Sequence, residues 1–127
     1  MTAPAPVVVV SRDPDVLAAA VAARLVTRLV DAQALRGGAS VVLTGGSIGI
    51  AALRSLAEAP ARPAVDWRRV DVWWGDERFV AADDPERNER QARDALLDAL
   101  DLDLARIHPM GALGGPDGAD ADAAAAR

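Results

Sequence analysis

Apolar residues follow two different periods along this chain, and the period indicates where strands and helices lie. Short runs rich in Val, Leu and Trp, bounded by polar or glycine-containing segments, predict buried strands. They lie at residues 7–10, 40–44, 69–74 and, as a short fourth strand, 107–110. Between these runs, apolar residues recur every three or four positions, as they do on one face of a helix. The chain is therefore predicted to alternate strands and helices.

The first predicted helix is the longest. Asp13 suits the N-cap of this helix and Pro14 suits its first position, because proline lacks the N–H that a first-turn residue leaves unpaired. The apolar periodicity continues over residues 15–35, and Gly37 with Gly38 would end the helix.

Three later segments also carry helical signals. A second helix is predicted from about residue 48 to residue 59, directly after a glycine turn. A third is predicted to begin at Asp84 and Pro85, and the alanine-rich end of the chain predicts the opening of a fourth. The apolar face of the third helix is predicted to comprise Ala92, Ala95, Leu96, Ala99 and Leu100.

This alternation predicts an α/β fold with a mostly parallel sheet, in three α/β/α layers, like an open Rossmann-type half domain. The 127 residues make one domain or part of one. Right-handed crossovers place the carboxyl ends of the second and third strands at one edge of the sheet. Ligands bind at that edge in open α/β sheets, so we expect a site there.

Composition excludes several kinds of chemistry. All 14 basic residues are arginine, there is no cysteine and one histidine, and the net charge is −5. Lysine-dependent mechanisms, disulfides and clustered His or Cys metal sites therefore cannot be built from these residues. Scattered arginines in an acidic chain do not favour nucleic acid or membrane surfaces. With neither a signal-peptide start nor a membrane-length apolar run, we expect a cytoplasmic protein, whose oligomeric state the sequence leaves open.

The first candidate site is the turn Gly45-Gly46-Ser47, between a predicted strand and helix. Its glycines allow a sharp turn, and the first-turn N–H groups with the helix dipole suit an anion such as phosphate. The same pattern also occurs in turns that need glycine only for steric reasons. Residues 44–51 resemble the cofactor loop of short-chain dehydrogenases as well. That loop follows the first strand of such proteins, however, and the Tyr and Lys that they require are missing here.

The second candidate site is the charged segment after the third strand. Trp73 and Trp74 are followed by Gly75 and then by Asp76, Glu77 and Arg78 in succession. Because burying a charge is unfavourable, this switch marks the edge of the sheet opening onto a cleft. Arg78 could hold a phosphate or a developing oxyanion, and Asp76 could orient the arginine or a substrate hydroxyl. A local ion pair between Asp76 and Arg78 on a surface loop is the simpler alternative.

Three other features carry weaker signals. His108 has no evident partner, and a structural or surface role is favoured for it. A turn is indicated by the cluster Gly114-Gly115-Pro116-Asp117-Gly118. The acidic run over residues 98–103 is typical of a solvated helix end. The acidic run does not have the spacing of a metal site.

In their order and spacing, four segments resemble the N-terminal half of the 6-phosphogluconolactonases, a family related in fold to glucosamine-6-phosphate isomerase/deaminase. They are residues 43–47, 65–70, 73–80 and 83–88, and the resemblance extends from about residue 7 to residue 110. It implies hydrolysis of the δ-lactone of 6-phosphogluconate in the oxidative pentose phosphate pathway, without metal or organic cofactor.

The resemblance also implies roles for individual residues. Gly45, Gly46 and Ser47 would contact the substrate through backbone N–H groups, and Arg78 would pair with its negative charge. Asp76 would orient the substrate, so that Asp76 and Arg78 are the candidate catalytic residues. Asn88 matches a family asparagine near the pocket.

The sequence departs from the family pattern in three respects. Arg87 stands where many members have Ser, and Ser47 with Ile48 varies the turn. The family's later Gly-rich segment with its catalytic histidine, and a lysine that helps to hold phosphate, have no match here, because Ala119 follows Asp117-Gly118. We therefore expect residues 1–127 to be the N-terminal part of one domain, ending prematurely at Arg127 and nearly inactive alone.

Two other functions remain open at this point. An aminosugar-phosphate isomerase or deaminase of the same fold would use Asp76 to move a proton at carbon, although such enzymes typically have Tyr where Arg78 stands. A non-catalytic fragment that binds sugar phosphates, or a degenerate product without function, is the alternative outside enzymes.

Overall fold

The computed structural model describes residues 2–127, in which four α-helices and three β-strands alternate. In chain order they are α1 (Pro14–Arg36), β1 (Ala39–Leu43), α2 (Ser47–Ala57), β2 (Val70–Trp74), α3 (Asn88–Ala95), β3 (Ile107–His108) and α4 (Ala121–Ala126). Two 3₁₀ turns lie between α2 and β2, one follows α3 and one precedes β3. None of these helices is both long and apolar enough to cross a membrane.

Helix α1 begins and ends as the sequence predicts. The backbone N–H of Val16 donates to Asp13 Oδ1 at 2.8 Å, and Pro14 occupies the first turn. Gly37 ends the helix in a left-handed conformation with φ +82°, and its N–H donates to the Gln33 carbonyl. The buried stripe of α1 is narrower than the apolar pattern suggested and is formed by Ala18, Ala22, Val26 and Leu29.

The three strands form a parallel sheet in the order β1-β2-β3, which confirms the predicted α/β class. Ala39 lies opposite Val70 and Leu43 opposite Trp74, while Trp73 lies opposite His108. Because the strands are parallel and in register, β1 and β2 end side by side. The chain segments that follow them, the glycine turn and the charged loop, therefore start at one edge of the sheet, as predicted.

The helices α1, α2 and α3 contribute to one core on a single face of this sheet. From the strands, Leu43, Val70, Val72 and Trp74 point into it, and from the helices come Val26, Leu29, Leu53, Leu56 and Ala92. The alternate strand residues lie on the opposite face, where Val42 is 66% exposed and Trp73 is 45% exposed. Of the three predicted layers, the described residues thus supply one helix layer and the sheet.

The strand predicted at residues 7–10 is wrong for this structure. Val7, Val8, Val9 and Val10 are all exposed and belong to no strand. A run of β-branched residues forms a strand only where a neighbouring strand accepts its backbone hydrogen bonds. No described strand pairs with this segment, so it does not form a strand despite its β-branched residues.

The start predicted for α3 at Asp84 and Pro85 is also wrong, because the helix begins at Asn88. Asp84 Oδ1 accepts a hydrogen bond from the Glu86 N–H at 2.8 Å, and the Asp84 carbonyl accepts one from the Arg87 N–H at 3.0 Å. These bonds close a turn, after which Arg87 is extended with ψ 127°. The aspartate and proline signal therefore starts a turn, and α3 starts four residues after Asp84.

Candidate functional site

Helix α2 begins at the glycine turn without a capping side chain. Gly46 adopts φ +85° and ψ 162°, a conformation open to glycine, and the first helical hydrogen bond runs from the Ile50 N–H to the Gly46 carbonyl at 3.0 Å. No side chain accepts a hydrogen bond from the first turn. The backbone N–H groups at the start of this 11-residue helix are therefore available to an anion.

The charged loop after β2 divides its three charges between the interior and the surface. The side chain of Glu77 is 3% exposed, whereas Asp76 and Arg78 are both exposed. The described structure contains no ion pair between Asp76 and Arg78. The surface ion pair considered for this segment is therefore not formed, and Arg78 keeps its charge available.

Glu77 points inward and caps helix α3. Its Oε1 accepts hydrogen bonds from the backbone N–H groups of Arg78 at 2.8 Å and Asn88 at 2.6 Å, and its Oε2 accepts one from the Glu89 N–H at 2.8 Å. A carboxylate at a helix N-terminus satisfies orphan donors and interacts favourably with the helix dipole. One carboxylate thus fixes both the backbone of Arg78 and the start of α3.

Arg87 balances the buried charge of Glu77. It is 1% exposed, its Nε lies 3.9 Å from Glu77 Oε2, and its Nε and Nη2 donate to Glu89 Oε1 at 3.1 and 2.9 Å. Nη2 also donates to the Met110 carbonyl, which ties the loop to the chain after β3. Arg93 extends the network by donating to Glu89 Oε2 at 2.8 Å. Arg87, noted above as a departure from the family, is therefore part of the framework of the site.

Asn88 joins the two candidate segments. Its Nδ2 donates to the Asp76 carbonyl at 3.3 Å and lies 3.5 Å from Asp76 Oδ1. Its Oδ1 lies so close to the glycine turn that a Cβ on Gly45 would stand 2.1 Å away. Gly45 is thus required by the close approach of Asn88, and Asn88 holds the Asp76 loop against the turn.

A cavity of about 320 Å³ lies where these segments meet. Its lining includes Gly46 and Ser47 from the turn, Arg78 from the charged loop and Asn88 from α3, and it is completed by Ile50, Arg54, Glu86 and Gln91. Four of the predicted site residues therefore share one cavity. Gly45 and Asp76 do not line the cavity, but both lie next to Asn88, which does.

The cavity is suited to anionic ligands. Within residues 2–127, the guanidinium groups of Arg78 and Arg54 have no hydrogen-bond or ion-pair partner, and one carboxylate, Glu86, faces the same space. Together with the uncapped α2 terminus, the two guanidinium groups give the cavity an excess of positive charge and of hydrogen-bond donors. In residues 2–127, no group of three or more His, Asp or Glu side chains is placed to hold a metal ion.

His108 lies outside this cavity and does have a partner, which corrects one expectation. Its ring stacks on Trp73 with centroids 3.8 Å apart, and its Nε2 lies 3.1 Å from Asp71 Oδ1. Arg106 Nη1 donates to Asp71 Oδ2 at 3.1 Å. These contacts hold β3 against β2 on the exposed face of the sheet, which agrees with the structural role favoured for His108.

Sequence reasoning missed three residues of the site. The sequence shows that Glu77 and Arg87 are charged but does not indicate their structural roles, because these roles depend on α3 folding back onto the loop. Arg54 carried a weak signal, since it follows Ser47 by seven positions and therefore shares its helix face. Helical periodicity applied to the polar residues of α2 would have indicated Arg54.

Comparisons with known proteins identify relatives of this chain. A family model described as glucosamine-6-phosphate isomerases/6-phosphogluconolactonase matches residues 12–127. The chain is 59% identical to a 6-phosphogluconolactonase of Streptomyces coelicolor over 121 residues, 95% of this chain and 46% of that protein. It is 49% identical to a 6-phosphogluconolactonase of Mycobacterium tuberculosis, with 89% of this chain and 45% of that protein covered.

Solved structures show the same fold. The 6-phosphogluconolactonase of Trypanosoma brucei superposes with a TM-score of 0.75 at 26% identity, covering 97% of this chain and 46% of that one. A monomeric glucosamine-6-phosphate deaminase superposes with a TM-score of 0.67 at 16% identity, over 90% of this chain and 44% of that one, which indicates a shared fold only.

The match identifies the family and separates the chain from the dehydrogenases that its glycine turn resembles. The chain spans about half the length of the curated relatives that it matches. The family model covers nearly all of the chain, including both segments of the candidate site. This chain belongs to the glucosamine-6-phosphate isomerase/6-phosphogluconolactonase family.

Proposed function

We propose that the protein to which this chain contributes hydrolyses the δ-lactone of 6-phosphogluconate to 6-phosphogluconate, and that residues 1–127 form the N-terminal part of its single α/β domain. The observation that carries the proposal is that Arg78 and the uncapped glycine turn line one cavity, in a chain 59% identical to a 6-phosphogluconolactonase. The cavity offers the donors that an anionic sugar lactone requires.

The reaction needs stabilisation of negative charge and activation of water. Water adds to the lactone carbonyl carbon, the carbonyl oxygen becomes an oxyanion, and the ring C–O bond then breaks to leave a carboxylate and a hydroxyl. Arg78 would stabilise the oxyanion by charge-assisted hydrogen bonds, and the N–H groups of Gly46 and Ser47 would hold the phosphate. Asp76, fixed by Asn88, would orient the substrate.

The described residues place no histidine at this cavity, so the general base that the family resemblance implies does not line it. The histidine of the chain stacks on Trp73 on the exposed face of the sheet and does not line the cavity. General-base catalysis typically contributes about 10²- to 10⁴-fold. Residues 1–127 alone are therefore expected to bind the substrate and to turn it over poorly.

A chimera tests this function. The chain would replace the 121 matching residues of the Streptomyces coelicolor relative, and turnover would be measured on the lactone, above its spontaneous hydrolysis, and on glucosamine 6-phosphate. We expect activity on the lactone only, reduced about 10²- to 10³-fold by Arg78→Gln and little changed by Arg24→Gln on α1. A folded chimera that acts on glucosamine 6-phosphate, or on neither compound, would contradict the proposal.

A further inference from the structure

Arg54 is a cationic residue of the cavity to which the function proposed above gives no role. It lies in the last turn of α2, seven residues after Ser47, which is about two helical turns. Residues with this spacing lie on one helix face, and side chains on a helix lean toward its N-terminus. This accounts for Arg54, Ile50, Ser47 and Gly46 lining the same cavity.

Arg54 forms no ion pair, although acidic residues lie near it. Glu58 follows it at the i+4 position, and both residues border a second hollow with Asp15, yet the structure contains no ion pair between them. On α3, by contrast, Arg90 pairs with Asp94 at 3.3 Å and Arg93 with Glu89 at 2.7 Å, with the same four-residue separation. The Arg54 guanidinium is therefore available to a ligand beside the uncapped end of α2.

The charge of the ligand requires more than one cation. A phosphate monoester carries a charge of about −1.5 to −2 at neutral pH. Arg78 supplies one positive charge, and Glu86 places a negative charge in the same cavity. Among the described residues that line this cavity, the other positive charge is Arg54.

We propose that Arg54 binds the phosphate group of the substrate and thereby makes the site selective for phosphorylated sugar acids. The proposal rests on the proposed function and names a specificity-determining residue of that same site. It assigns the phosphate two sets of donors within this chain, the N–H groups of the first turn of α2 and the Arg54 guanidinium. Arg78 then remains available to the carbonyl oxygen.

Titration calorimetry on the full chain with 6-phosphogluconate, and with inorganic phosphate as a second probe, tests the proposal. We expect Arg54→Gln to weaken binding of both compounds about tenfold, the loss typical of one charge-assisted hydrogen bond, and Arg54→Lys to retain part of the affinity. Arg24→Gln on α1 is the matched control and should bind as the unchanged chain does. Because Arg54 is exposed and unpaired, its variants should keep the thermal midpoint.

The chimera supplies an independent readout. There Arg54→Gln should raise KM for the lactone about tenfold and leave kcat nearly unchanged, because the phosphate is bound equally in the ground state and the transition state. If Arg54→Gln binds 6-phosphogluconate as tightly as the unchanged chain does, while Arg78→Gln binds it more weakly, the role of Arg54 is overturned and the proposed function stands. Absence of 6-phosphogluconate binding by both the unchanged chain and an active chimera would overturn the role of Arg54. Absence of both binding and chimera activity would overturn both proposals.

Discussion

Adjacent charged residues in the loop after β2 have opposite environments. Asp76 and Arg78 are exposed, whereas the side chain of Glu77 between them is buried and accepts hydrogen bonds from three backbone N–H groups. A carboxylate can be buried in this way only because donors and the Arg87 guanidinium replace its hydration. The inward charge thus holds the backbone from which Arg78 reaches the ligand.

Replacing Glu77 by Gln should destabilise the chain. The amide keeps the shape of the side chain, but its NH₂ group cannot accept the backbone N–H bonds that the replaced carboxylate oxygen accepted, and a buried donor left unpaired costs about 1–3 kcal/mol. Urea unfolding followed by Trp fluorescence would measure the loss. Glu86→Gln, an exposed carboxylate nearby, is the matched control and should change the free energy of unfolding by less than about 0.5 kcal/mol. Equal stability of the two variants would show that Glu77 does not anchor the loop.

Gly45 should tolerate no side chain while Asn88 is in place. In Gly45→Ala the new Cβ would stand 2.1 Å from Asn88 Oδ1, so that Asn88 must move away from Asp76. We expect a loss of about 1–3 kcal/mol in the free energy of unfolding, as for other overpacked sites. In a double-mutant cycle with Asn88→Ala, the second change should recover part of that loss. Strict additivity of the two changes would mean that the close contact does not form.

Among the elements, α1 and α3 show why some boundaries follow from sequence and others do not. The ends of α1 depend on Asp13 and Gly37, which act on neighbouring residues and are visible locally. The start of α3 depends on Glu77, a carboxylate 11 positions away that takes the capping role from Asp84. The missing strand at residues 7–10 has a similar cause, because pairing partners decide whether a strand forms and sequence propensity does not.

Helix α4 carries a contact that depends on pH. Arg127 donates to both oxygens of Asp117, and this hydrogen bonding, with the positive charge, lowers the pKa of that carboxyl. The contact is therefore complete at neutral pH and is lost as the pH falls through the lowered pKa, below about pH 4. An NMR titration of the Asp117 carboxyl should show the lowered pKa, and Arg127→Gln should return it toward its ordinary value. An Asp117 pKa unaffected by that variant would exclude the pairing.

At the scale of the whole molecule, the α/β class, the parallel sheet and the meeting of two loops at one sheet edge were all predictable. They depend on hydrophobic periods and on the handedness of crossovers, which the sequence carries directly. The orientation of the individual charged side chains in the site was not predictable. Which charge turns inward, and which arginine of α2 reaches the cavity, depends on contacts between segments that lie far apart in the chain.

We propose that Arg78 and the uncapped end of α2 form one site for a sugar phosphate. An NMR titration of the full chain with 6-phosphogluconate tests it most directly. We expect the largest chemical-shift changes at the N–H groups of Gly46 and Ser47 and at Arg78 Nε, and we expect Arg78→Gln to weaken binding at least about tenfold. Saturating additions that shift none of these resonances, or shifts confined to the exposed sheet face around Trp73, would contradict it.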